Sequence, residues 1–190
     1  MDEIVKAALA KWPNVPHCHG WLGLDARGDW YMRDDATQAS GPFSLMPGAS
    51  GRASKGSRLL HGKLIDFIGR NYAADEAGQW FFQNGPQRVY VELEAAPYVW
   101  RLQPDGALKA HTGASAGAVN GCLTDEFGRL FLATDLGFGL VHTSDMLAAA
   151  DAVEQGLWVP KEQAFAEMPV QWGYVLSPQK RLENNGVKLA

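Results

Sequence analysis

Three short stretches of one design recur at Asp25-Ala-Arg-Gly28, Asp75-Glu-Ala-Gly78 and Asp125-Glu-Phe-Gly128. Each precedes large apolar residues, at 30–32, 80–82 and 130–132, and successive copies lie 50 residues apart. An Asp opening such a turn can accept backbone N–H groups ahead of it, and a Gly in fourth place takes the positive φ that closes a bulged hairpin. The apolar triplets favour a pleated, half-buried strand. Three hairpins of this kind confine the chain to a mostly antiparallel β framework. The even spacing suits a structural repeat, but the residues between the hairpins do not align, and coincidence among common turns is the competing account.

The region Asn71–Tyr98 is the densest in aromatic and polar groups. Gln79–Gln83 reads as a strand, Asn84-Gly85-Pro86 as a turn, and Arg88–Glu94 as a cleanly alternating strand. Val89, Val91 and Leu93 fall on one face, and Arg88, Tyr90, Glu92 and Glu94 on the other. Pro97 ends that strand, Tyr98–Leu102 starts another, and Pro104-Asp105-Gly106 turns it, so an antiparallel meander is expected.

Elsewhere, a helix over residues 2–12, capped by Asp2, places Ile4, Val5, Ala8, Leu9 and Trp12 on one face. Trp21–Leu24 is a short strand. Residues 39–57, rich in Gly, Ser, Pro and Ala, read as a mobile loop. Ser57 caps a helix over 58–70 with Leu59, Leu60, Leu64, Phe67 and Ile68 inward. A strand pair or bent strand over 135–141 precedes a helix over 145–155, capped by Thr143 or Ser144 and ended by Gly156. Residues 161–167 form a helical turn, 171–176 a last strand, and the polar tail from Gln179 frays. The expected fold class is α+β, with antiparallel meanders and hairpins, a few flanking helices and, on the repeat reading, repeated helix-plus-hairpin units. At 190 residues one globular domain over 1–190 is the default, burying roughly 70% of its unfolded surface. The alternative division separates 1–57, including the loop, from an α+β core at 58–190.

The formal charge of −4 and pI near 5.7 give no basic footprint, so nucleic acid is not an expected partner. No apolar run approaches the ~20 residues of a membrane span, and the N-terminus lacks a signal-peptide pattern. Cys18 and Cys122 are too few for a disulfide framework, which points to a reducing, cytoplasmic setting. Homo-oligomerisation is left open.

Gly20-Trp21-Leu22-x-Leu24-Asp25-x-x-Gly28, Arg70-Asn71-Tyr72, Trp80–Val91, Pro97 and His111-Thr112-Gly113 resemble a proteobacterial family of unknown function. The resemblance spans roughly residues 12–145, is most specific over Trp80–Val91, and implies no particular activity. The layout of helix, hairpin and meander is also similar to a second uncharacterised bacterial family, described by repeated α+β motifs and a proposed role in signal transduction.

On a strand, His17 and His19 would share a face and could meet one metal ion, but a stable zinc site wants three or four ligands. His61, His111, His142 and Cys122 have no supporting spacing. Cys18 points away from its flanking histidines on a strand, and Ser50, Ser54 and Ser57 do not sit in a nucleophile elbow. Arg52, Lys55 and Arg58 follow a Gly-Ser-rich stretch that lacks the phosphate-loop pattern. The preferred set is Arg70, Asn71, Tyr72, Gln83, Asn84, Gln87, Arg88 and Tyr90, in which Arg88 can grip a carboxylate or phosphate and Tyr90 can flank it. The structural account has Arg88 pairing with Glu92 or Glu94 and Asn84 shaping the turn. The set holds recognition groups without an acid–base pair and calls for no cofactor. The expectation is therefore a non-catalytic module, regulatory or signalling in role, binding a small anionic ligand on a strand face. The alternatives are a metal-dependent enzyme using His17 and His19, or a protein-interaction scaffold built on the aromatic residues.

Overall fold

The computed structural model describes residues 1–46, 49–184 and 186. The order of elements is α1 (Glu3–Lys11), β1 (Cys18–Leu24), β2 (Trp30–Met32), α2 (Asp35–Ala39), β3 (Ser57–Arg58), α3 (Gly62–Arg70), β4 (Tyr72–Ala74), β5 (Trp80–Asn84) and β6 (Gln87–Leu93). There follow β7 (Tyr98–Leu102), β8 (Leu108–Ala110), β9 (Val119–Thr124), β10 (Leu130–Thr134), β11 (Phe138–Val141), α4 (Met146–Glu154), β12 (Lys161–Glu162), α5 (Met168–Gln171) and α6 (Pro178–Asn184). The fold is α+β. The chain forms two compact units, the first built from residues up to Asp25, Asp29–Glu94 and Tyr174 onward, the second from Ala26–Gly28 and Ala95–Gly173.

The first unit carries a six-stranded sheet in the order β3-β2-β1-β6-β5-β4. Every neighbouring pair is antiparallel except β1 and β6, which run parallel with Leu22 opposite Val91 and Gly23 opposite Glu92. Leu22, Leu24, Trp30, Ile68, Val91 and Leu93 are buried in this unit. The α3 helix packs Phe67 edge-on against Phe82, with ring centroids 5.5 Å apart.

The second unit has its own six-stranded sheet, β12-β9-β10-β11-β7-β8, with β11 parallel to β7 and β12 parallel to β9. Trp100, Phe131, Leu132, Leu140, Phe165 and Met168 fill its interior. The Trp100 indole N–H donates to the Leu132 carbonyl at 3.1 Å, meeting the need of a buried polar group for a partner. Gly139 is required by a close approach: a Cβ there would lie 2.6 Å from Trp100 Nε1.

The two sheets share a path. In each, a hairpin is followed by a three-stranded meander whose last strand lies parallel against the hairpin's first, giving β2-β1-β6-β5-β4 in one and β8-β7-β11-β10-β9 in the other. The meanders agree in register, with Phe81 opposite Tyr90 and Phe131 opposite Leu140. The 50-residue step from Asp75 to Asp125 therefore marks equivalent turns in two equivalent meanders, whereas Asp25 turns a leading hairpin.

Several local expectations are revised. The strand Tyr98–Leu102 joins the second sheet, so the meander stops at Leu93. The α3 helix begins at Gly62 with His61, not Ser57, as its cap, since His61 Nδ1 accepts the Leu64 N–H at 3.3 Å. Leu60 thus precedes the helix and is exposed. Ile4 and Trp12 are exposed too, leaving Val5 as the buried anchor of α1. His142 caps the turn that leads into α4. Residues 161–162 form an edge strand, and the expected helical turn is confined to Phe165–Glu167. The expected strand over 171–176 is replaced by the end of α5 and a turn, where Pro169 suits a helix start. Residues 179–184 of the expected frayed tail are helical, as part of α6; the rest of that tail, Gly186 apart, and Pro47 and Gly48 of the expected loop lie outside the described residues.

Candidate functional site

A cavity with a volume of about 920 Å³ lies within the first unit. Its wall combines β6, the segment after α2 and the approach to α6. Glu92 comes from β6, Phe43, Leu45 and Met46 from the segment, and Leu176, Ser177, Gln179 and Glu183 from the C-terminal stretch.

Glu92 is placed there by strand alternation and by a glycine across the strand. Its register partner Gly23 has no side chain, and the Phe43 ring occupies the space, so that a Cβ at Gly23 would lie 2.4 Å from the ring. Glycine inside a strand often marks such an approach. Glu92 is 3% exposed. Its Oε1 accepts the Gln179 backbone N–H at 2.9 Å, and the Ser177 hydroxyl also bonds its carboxyl. Burial is the main reason its pKa is pushed up to about 7, and the nearby Glu183 charge acts in the same direction. The Ser177 and Gln179 bonds and the Arg33 charge oppose the rise.

Arg33, just past β2, organises the wall and is 1% exposed. Its Nη1 donates to the Gly20 carbonyl at 3.0 Å and to Gln179 Oε1 at 3.3 Å, Nη2 to the Gly41 carbonyl at 2.7 Å, and Nε to the Ser54 carbonyl at 3.1 Å. One guanidinium thereby ties β1, two points of the 41–54 segment and the start of α6. Gln38 closes the network, donating to the Arg33 carbonyl and accepting from Gln179 Nε2, both at 3.3 Å.

The residues singled out in the sequence take other places. Arg70 pairs with Asp2 at 3.3 Å on the surface. Asn71 is buried, accepting the Asp2 N–H at 2.7 Å and donating to the Phe67 carbonyl at 2.9 Å, which joins α1 to the end of α3. Tyr72 packs on Trp80 and Trp30. Gln83 is buried and donates to the Gly85 carbonyl at 2.9 Å, shaping the turn beside exposed Asn84. Gln87 donates to the Pro16 carbonyl at 2.9 Å. Arg88 lies 4.4 Å from the Phe81 ring centroid, and Tyr90 donates to Asp75 Oδ2 at 3.1 Å. The structure brings Gln83, Arg88 and Tyr90 onto one face of the β5–β6 pair. None of the eight lines the Glu92 cavity.

His17 and His19 do share a face, both against Tyr90. Among the described residues, no group of three His, Cys, Asp or Glu side chains is placed to hold a metal ion. Lys55 pairs with Glu94 at 2.7 Å and Arg58 with Asp29 at 2.7 Å. Arg33, Gln38 and Gln179 escaped the sequence reading. Glu92 was visible on the right face of its strand, whereas Gly23 meant nothing until the parallel β1–β6 pairing set it opposite.

Residues 1–186 match DUF2944, a family described as "Protein of unknown function (DUF2946)". The chain belongs to this family. No curated protein gives a significant match. Among solved structures, a DUF1285 family protein from Silicibacter pomeroyi DSS-3 is similar at 13% identity and a TM-score of 0.48, over 80% of this chain and 84% of that one. A DUF1285 family protein from Shewanella baltica OS155 is similar at 16% identity and a TM-score of 0.43, over 69% and 91% respectively. No described helix is long and apolar enough to cross a membrane.

Proposed function

We propose that this DUF2944 chain is a non-catalytic small-ligand-binding module whose ligand enters the Glu92 cavity. The observation that carries the reading is a buried carboxyl in the wall of a cavity of about 920 Å³, a volume within the range of small-molecule sites. Two carboxyl groups, Glu92 and Glu183, and two cationic side chains, Lys180 and Arg181, line the space together with Phe43, Leu45, Met46 and Leu176. Of the four charged groups Glu92 alone is buried, while the others are exposed. Arg181, from the same helix as Glu183, donates to the Ala77 carbonyl at 3.1 Å. The matching ligand carries an amine or another cationic hydrogen-bond donor at one end and an apolar body behind it. A donor bound at Glu92 offsets the cost of burying its charge.

The same contacts support the reading of a regulatory role. The Glu92 carboxyl holds the first turn of α6 through Ser177 and Gln179, so an occupant of the cavity acts on the helix that closes one wall.

The test is a thermal-shift titration of the full chain with primary alkylamines of graded length, since a ligand that prefers the folded state raises its melting temperature by mass action. Stabilisation that grows with chain length and is lost in Glu92→Leu supports the site. No shift with any amine, or equal shifts in wild type and Glu92→Leu, defeats it.

A further inference from the structure

We propose a second site on the first unit, in which His17 and Arg88 bind the phosphate group of a small molecule, with Tyr90 as the floor between them. Tyr90 is 5% exposed. His19 stacks on it at 4.5 Å between ring centroids, His17 meets its edge at 5.9 Å, and the Arg88 side chain hydrogen-bonds its phenol. The Arg88 guanidinium is also laid over Phe81 at 4.4 Å, which holds its planar fork in one orientation.

These basic groups stand close without a matching acid. Asp75 is the nearby carboxylate, and four donors already engage it: the Ala77 and Gln79 N–H groups on Oδ1, and the Gln79 side chain and Tyr90 phenol on Oδ2. None of the ion pairs among the described residues involves His17 or Arg88. The two feel one another, because the Arg88 charge lowers the His17 pKa, after burial.

The backbone holds them together against that repulsion. Gln87 grips the Pro16 carbonyl at 2.9 Å and Cys18 pairs with Val89, so the chain on either side of His17 is fixed to β6. His17 is exposed and Arg88 half-buried, which leaves both open to a solute. An oxyanion between them opposes the effect of the Arg88 charge and favours protonation of His17, so that the bound anion meets a guanidinium and an imidazolium, the charge-assisted donors that a phosphate prefers.

The experiment is calorimetric titration of inorganic phosphate into the full chain near neutral pH, at an ionic strength fixed with chloride. The expected result is saturable binding weakened at least about tenfold in His17→Gln and in Arg88→Gln, and unchanged in Lys109→Gln, a surface change of equal charge in the other unit. Heats that match the chloride blank overturn the proposal, as does binding that survives His17→Gln. His17 is exposed, so that variant still reports if Arg88→Gln fails to fold. The alkylamine titration uses a different cavity and a different ligand charge, so either reading can fail alone.

Discussion

Asp75 and Asp125 make the same turn twice, with Oδ1 accepting the Gln79 N–H at 2.9 Å in one and the Arg129 N–H at 2.8 Å in the other. Gly78 and Gly128 follow at φ of 75° and 72°, a conformation costly for any residue with a Cβ. The copies differ in what meets the second oxygen: Gln79 and Tyr90 side chains at Asp75, and the Arg129 guanidinium at 2.7 Å at Asp125.

That difference sets unequal costs for removing the two acids. Asp125→Ala deletes the turn acceptor and leaves the half-buried Arg129 without its partner carboxylate, and a loss of about 3 kcal/mol is expected. Asp125→Asn keeps an acceptor for the turn N–H groups and should lose less. Urea unfolding of both variants reads the difference. Equal losses would mean that the turn hydrogen bonds contribute little.

Glu92 gives the chain a pH dependence of definite sign. Its folded-state pKa of about 7 lies above the ordinary 4.5. The unfolded chain therefore releases this proton first, and the stability tied to the protonated form, full below pH 4.5, is lost as pH rises through about 7. The loss amounts to at most about 3 kcal/mol by about pH 8. Glu92→Gln should flatten that part of the profile, approaching wild type in acid and exceeding it in base. Chemical denaturation across this range checks the claim, and a variant that loses stability in step with wild type refutes it.

What the sequence displayed and what it hid divide along a physical line. Hairpins are local: Asp75, Gly78 and the aromatic run after them specify turn and strand within ten residues or so, and the strands emerged where expected. The β1–β6 and β7–β11 pairs are parallel contacts between distant segments, and alternation alone does not say which strands will meet. The transfer of Tyr98–Leu102 to the second sheet was hidden for the same reason. The cavity depends on Gly23, Arg33, Phe43, Glu92 and Gln179, brought together from five separate segments. Only Glu92 carried a local sign, as an acid on an alternating strand. The polar cluster at 70–90 was conspicuous because it is dense, yet most of its side chains join neighbouring elements.

Arg33 should be among the most sensitive residues of the first unit. Its four hydrogen bonds reach three backbone carbonyls and one side chain. Arg33→Met keeps much of the volume but leaves the Gly20, Gly41 and Ser54 carbonyls without this donor, at an expected cost of about 3 kcal/mol or more. Arg33→Lys should recover little, because one ammonium cannot reproduce the planar fork. Thermal melts of the two variants decide the matter, and full recovery with lysine would reduce Arg33 to a source of charge.

Gly23 links the fold to the cavity. A Cβ at this position would meet the Phe43 ring at 2.4 Å, and Phe43 lines the space beside Glu92. Gly23→Ala must therefore move the ring, and overpacking of this kind costs about 1–3 kcal/mol. Gly62→Ala is the control: it lies at the start of α3, no atom falls within 4 Å of an added Cβ, and alanine favours helix. The expectation is a lowered melting temperature together with altered alkylamine stabilisation in Gly23→Ala, and neither in Gly62→Ala. If Gly23→Ala melts lower yet responds to amines as wild type does, Phe43 is packing alone and the ligand's apolar body lies against Leu45, Met46 and Leu176.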